Sequence, residues 1–227
     1  DCTGRLVLPG LVDLHVHASQ FAYRGTGMDM ELLDWLNACA FPEESRFADL
    51  DYAARAYGRF VEDVVCGPNT RACVFATAHV EATLLLMDML EKSGLVTMVG
   101  KVSMDTSAPD GLREPDAASA ARAVRSWLEA AQGRYERTQP MLTPRFIPSC
   151  SDALLRELGA IQRESGLPVQ SHLSENRGEV QLVRELCPWS AFYGAAYDEY
   201  GLFGGDGCDT VMAHCVLSEE PELELIR

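Results

Sequence analysis

Two histidines one residue apart, His15 and His17, end the apolar run Gly10-Leu11-Val12-Asp13-Leu14-His15-Val16-His17. On a strand, side chains two apart project to the same side, so Asp13, His15 and His17 would share one face and Val12, Leu14 and Val16 the other. Both imidazoles would then aim at one point, either as the first part of a metal site or as two histidines of a core. His172, in VQSHLSEN, closes another apolar run and is followed three residues later by Glu175. A neutral imidazole with a carboxylate close behind suits a metal ligand and the acid/base group that moves protons beside it. Glu175 has a second reading as part of the capping start of the next helix, because SENR has that form. His214, in VMAHCV, ends a further run and could be a fourth ligand or a hydrogen-bonding electrophile. His79, in FATAHV, reads as a supporting or packing residue.

The elements that must position these residues alternate short β-branched runs with longer stretches of helical period, the pattern of βα units around a parallel sheet. Strands are expected over residues 11–17, 72–78, 95–102, 141–146, 169–172 and 210–213. Helices are expected over 49–65, 82–92, 116–135, 151–164 and 176–186, with Ser151 opening one and Gly94 and Gly166 closing two. The polar stretch DTSAPDGLREPD reads as a long loop. All five histidines fall at or next to the end of an expected strand and none in an expected helix. Successive βα units make either an open doubly wound sheet or most of an eight-stranded barrel. HVHASQ stands where a nucleotide-binding sheet would carry its glycine-rich turn, and polar groups, Arg145 among them, end several different strands. Both features favour a (β/α)8 barrel. Six strands leave such a barrel with two raw edges, so two further βα units are expected beyond Arg227. A start at Asp1 and an end within the helix-like SEEPELELIR fit the same expectation of a longer polypeptide.

The whole chain narrows the chemistry further. Its 227 residues, 47% hydrophobic, can bury one sizeable core. A net charge of −15, from 34 acidic and 19 basic residues, would repel nucleic acid or an anionic membrane and suits a compact small-molecule substrate. No apolar run reaches the length of a membrane span and no signal-peptide pattern opens the chain, so a cytoplasmic location is expected. The eight cysteines stand singly, without a C-x-x-C pair, and read as reduced thiols.

GLVDLHVH resembles the first-strand signature of the amidohydrolase superfamily, metal-dependent hydrolases on a distorted (β/α)8 barrel. In order along the chain, HASQ, LLDWLNACAFPEE, FATAH, VGKVSMD, TPRFIPSCS, QSHLSENRGEV and MAHC resemble the guanine deaminases among them, with TPRF and QSHLSEN the most specific. The resemblance implies a barrel with about six of its eight βα units in residues 11–227, and the end of a small β-sandwich strand set in residues 1–10. It implies that His15, His17 and His172 bind one zinc, that Glu175 shuttles protons and that His214 contacts the metal-bound water or the substrate. It further implies that Gln20, Arg145 and Phe146 hold a purine, Arg145 through the oxygen-bearing edge and Phe146 by apolar contact. Arg145 has an alternative as a salt bridge at the barrel rim, and Phe146 as core packing. The implied reaction is hydrolytic deamination of guanine to xanthine and ammonia in a homodimeric enzyme.

Two features depart from the family pattern. No segment corresponds to the eighth strand, whose aspartate completes the metal site, so the 227 residues alone are expected to hold metal weakly and turn over slowly. CGPNTRA replaces a Gly-Thr-Thr-rich turn before the second strand. The alternatives are deamination or dechlorination of another heterocycle, such as an adenosine derivative or a triazine, against which TPRF argues, and a non-catalytic scaffold. The cytidine-type zinc deaminases are disfavoured, since their H-x-E and P-C-x-x-C motifs are absent.

Overall fold

The computed structural model describes residues 1–205 and 208–227. Eight strand segments run parallel in chain order: β1 (Leu11–His17), β2 (Asn69–Phe75), β3 (Val96–Gly100), β4 (Val102–Ser103), β5 (Thr138–Pro140), β6 (Thr143–Pro144), β7 (Val169–Leu173) and β8 (Thr210–His214). They form six successive rungs, because β3 with β4 and β5 with β6 each replace one expected strand. The third rung breaks at Lys101, whose fully buried ammonium pairs with Glu114 and donates to the carbonyl of Val102. The fourth is interrupted between Pro140 and Pro144, neither of which can donate to a ladder. A bridge from Leu142 to Val169 carries the curve on to β7. The second strand begins earlier than its pattern suggests, because Asn69 already pairs with Leu11.

Strict alternation does not hold along β1. Asp13 pairs with Ala72 and Val16 with Val74, so three steps on β1 face two on β2. This bulge changes the parity of the strand. Val12 and Leu14, expected opposite the histidines, line the barrel's interior with Cys73 and Met98. After the bulge, Val16 packs outward on the helical layer, while His15 and His17 meet Phe75 inside the barrel. The irregular residue thus aims two imidazoles at one place.

The segment after β1 leaves the barrel. A 3-10 turn at Ala18–Tyr23 leads to helix α1 (Leu32–Trp35), a π-helical stretch at Leu36–Ala40 and helix α2 (Phe41–Ser45). This excursion caps the mouth of the barrel, with Leu36, Phe41, Phe75, Met104 and Phe146 in one buried cluster. The outer layer comprises α3 (Leu50–Cys66), α4 (Val80–Ser93), α5 (Ala117–Ala131), α6 (Asp152–Ser165), α7 (Arg177–Leu186), α8 (Tyr193–Asp198) and α9 (Glu220–Ile226). Three of their starts follow the capping rule, with Asp49, Asp116 and Ser151 each accepting a backbone N–H from the first turn. Gly94 and Gly166 end α4 and α6 in the left-handed region, as the sequence predicts. Residues 1–10 carry no strand. Helix α8 and the excursion, both unassigned from sequence, are short and of mixed polarity.

Candidate active site

The imidazoles of His15, His17 and His172 converge at the C-terminal end of the barrel, each offering a ring nitrogen within 4.8 Å of the others. His172 is the best fixed. Its Nδ1 donates to the carbonyl of Arg145 at 2.6 Å, so its Nε2 carries the free lone pair. Tyr197, whose hydroxyl donates to the His172 carbonyl at 2.8 Å, and Ser171 hold that part of β7 in place. The Nε2 atoms of His17 and His172 lie 3.0 Å apart. The Nδ1 atoms of His15 and His17 are buried without a hydrogen-bond partner. Burial and the neighbouring cationic groups hold the His17 and His172 pKa values well below the ordinary range. Burial and His214 lower that of His15 to about 4. The three rings are therefore neutral near pH 7, the form that ligates a metal. Two nitrogens on one zinc at 2.0–2.1 Å sit roughly 3.0–3.4 Å apart, a spacing that the 3.0 Å between His17 and His172 Nε2 matches.

Glu175 and His214 face each other beside this cluster, with Glu175 Oε2 3.4 Å from His214 Nε2. Left-handed backbone turns bring them there: Ser174 has φ 49°, His214 φ 77° and Cys215 φ 54°. Non-glycine residues in that region are strained, and such strain gathers at functional sites. The capping alternative for Glu175 is excluded by the geometry. Asn176 and Glu179 form the capping box of α7, and Glu179 accepts the backbone N–H of Glu175 at 2.9 Å. The Glu175 carboxyl takes no part in that cap, and burial, reinforced by the charge of Glu179, pushes its pKa up to about 7. A carboxyl poised near neutrality can both give and take a proton.

Gln20, Arg145 and Phe146 line the same cavity of about 130 Å³ as the histidines, Glu175 and His214. Arg145 does make a salt bridge, though within the site: its guanidinium forms a two-pronged, fully buried pair with Glu44. Phe146 packs in the buried cluster beneath the excursion, as its core reading expects, and also lines the cavity. His15, His17, Gln20, Arg145, Phe146, His172, Glu175 and His214 all line this one cavity. His79 lies outside it, at the start of α4. Sequence reasoning missed Glu44 and Trp35, and its one clue to them was the quoted motif LLDWLNACAFPEE.

A parallel α/β barrel with ring nitrogens and a carboxyl gathered at its C-terminal mouth has the architecture of metal-dependent hydrolases. Residues 6–227 match the amidohydrolase family, and the chain belongs to that family. It is 43% identical over 216 residues to guanine deaminase from Homo sapiens, covering 94% of this chain and 47% of the human protein. The crystal structure of guanine deaminase from C. acetobutylicum with bound guanine in the active site superimposes with a TM-score of 0.92 at 45% identity, over 96% of this chain and 51% of that one. E. coli guanine deaminase superimposes with a TM-score of 0.84 at 33% identity, over 96% and 49% of the two chains. The chain thus spans about half the length of the relatives it matches.

Proposed function

We propose that this chain carries most of the active site of a zinc-dependent guanine deaminase, which hydrolyses guanine to xanthine and ammonia. The observation that carries this reading is the single cavity in which three neutral imidazoles, a carboxyl titrating near neutrality and a buried guanidinium meet. Its likeness to guanine deaminases, one of them with bound guanine, supports the same substrate.

His15, His17 and His172 would hold one zinc per subunit, and the convergence of one ring nitrogen from each supports that assignment. Bound there, zinc would supply Lewis acidity and lower the pKa of an attacking water to about 7. Glu175 takes a proton from the water and delivers it to the ring nitrogen beside the amine-bearing carbon, so that charge does not accumulate on the ring as the water oxygen adds. Departure of the amine as ammonia takes the second proton from the newly added hydroxyl, whose oxygen becomes the product carbonyl, and Glu175 is placed to relay it. His214, a neutral donor within reach of Glu175, orients that carboxyl and the water. Arg145 donates to the purine oxygen and Phe146 covers a ring face. The buried Arg145–Glu44 pair sits beneath the α1–α2 excursion, where its hydrogen bonds act in a low dielectric. A homodimer and a cytoplasmic location belong to the same reading, the latter supported by the free thiols of all eight cysteines.

The test is a substrate panel with the full-length natural protein, zinc-loaded and followed by ammonia release. Guanine is expected to exceed adenosine derivatives and amino- or chlorotriazines in kcat/KM by about a hundredfold or more. Equal or faster release from a triazine would transfer the proposal to that substrate class.

A further inference from the structure

Glu44 has no counterpart in the site as read from sequence, yet it contacts two of the purine-wall residues. It lies in α2, its side chain has 0% exposure, and its partner Arg145 comes from a strand end 101 residues further along the chain. Arg145 donates to both carboxylate oxygens, with Nη2 3.0 Å from Oε1, and Gln20 donates from Nε2 to Oε1 at 3.3 Å. A carboxylate can only accept, so this contact fixes which way round the Gln20 amide lies. The NH2 group faces Glu44, and the amide oxygen is left as an acceptor at the cavity Gln20 lines. Arg145 lines the same cavity and has five N–H groups, so it retains donors beyond the two given to Glu44. The pair's charges also cancel, so the wall offers directed hydrogen bonds without a net positive charge that would select an anion.

We infer that Glu44 is a positioning residue that sets Gln20 and Arg145 as an acceptor beside donors, a pattern complementary to a ring N–H next to a carbonyl. The site would thereby recognise the lactam edge of 6-oxopurines and reject purines without one. This inference rests on the proposed function and names the residue behind its selectivity.

Direct binding by calorimetry to the zinc-loaded, full-length natural protein tests it, with hypoxanthine as the lactam probe and unsubstituted purine as the probe lacking it. The wild type is expected to bind hypoxanthine at least about tenfold more tightly than purine. Glu44→Gln, whose amide can donate as well as accept, frees Gln20 to turn over and should bring the preference below about threefold with zinc content unchanged. Gln20→Met leaves the buried ion pair untouched and keeps the assay decisive if Glu44→Gln does not fold; it should cut the preference likewise. A wild type without preference, a Glu44→Gln protein that loses both ligands equally, or a Gln20→Met protein with the preference intact would each overturn the assignment. Guanine turnover is followed on the same wild-type sample. Its absence would count against the proposed function, while the binding ratio would still judge Glu44.

Discussion

Replacing Glu175 by glutamine should cost activity and at the same time stabilise the metal-free protein, in a pH window set by its burial. In the folded chain the carboxyl is raised from 4.5 to about 7, chiefly by burial and secondarily by Glu179. A raised carboxyl means that the folded state binds the proton more tightly than the unfolded state. Stability therefore falls as pH climbs from about 4.5 through about 7 and stays lowered above that. Below about pH 4.5 both states are protonated and the penalty vanishes. Holding the ionised form in place costs about 3 kcal/mol, and the side chain's 26% exposure makes this an upper figure. Glutamine keeps the shape and removes the charge. Urea unfolding of metal-free wild type and Glu175→Gln should then show the variant more stable by about 2–3 kcal/mol at about pH 8, and the two within about 0.5 kcal/mol at about pH 4.5. A difference of the same size at both pH values, or a variant less stable at the higher one, would refute the burial argument. In the zinc-loaded natural protein the same change should lower kcat about 10²- to 10⁴-fold, the usual contribution of a positioned acid/base group.

Arg145→Met and Glu44→Met should each destabilise by about 3–5 kcal/mol, because each leaves a buried charge unpaired, whereas the double variant should cost less than either single change. Chemical denaturation of the four proteins measures this, and additive losses would show that the two groups do not act as a pair. His172→Ala should fold but retain little zinc after dialysis, as metal analysis would read directly, and a full complement of metal would exclude His172 as a ligand. Gly100→Ala should be poorly tolerated, since the added methyl would lie 1.6 Å from Thr143 Oγ1 and 2.6 Å from Gln170 Nε2. A loss of about 1–3 kcal/mol or more is expected in thermal unfolding, and an unchanged midpoint would show that the two barrel layers can part there.

The converging imidazoles were legible because histidines at strand ends leave a local signature: His15 and His17 two apart, His172 with Glu175 just beyond. The βα order and most helix ends were legible for similar reasons, with caps such as Asp49 and Ser151 and stops such as Gly94 written in adjacent residues. The β1 bulge was not, because an extra residue in a pair depends on the partner strand and leaves no mark in the strand's own sequence. The break at Lys101 depends on Glu114, thirteen residues away, and on a buried amine that a propensity reading treats as exposed. Glu44 was the largest omission. Its meaning comes from Arg145 and Gln20, which reach it only after the excursion has folded over the barrel mouth. Sequence patterns thus disclosed polar groups at strand ends, and the long-range Glu44–Arg145 pair with its contact to Gln20 emerged only with the fold.

The most direct test of the central claim is guanine turnover by the full-length natural protein as metal is removed and returned. Xanthine and ammonia are expected in equal amounts, with activity falling to background after chelation and recovering in proportion to bound zinc up to about one ion per subunit. Undiminished turnover by metal-free protein, or no xanthine from protein that holds its zinc, would contradict the account.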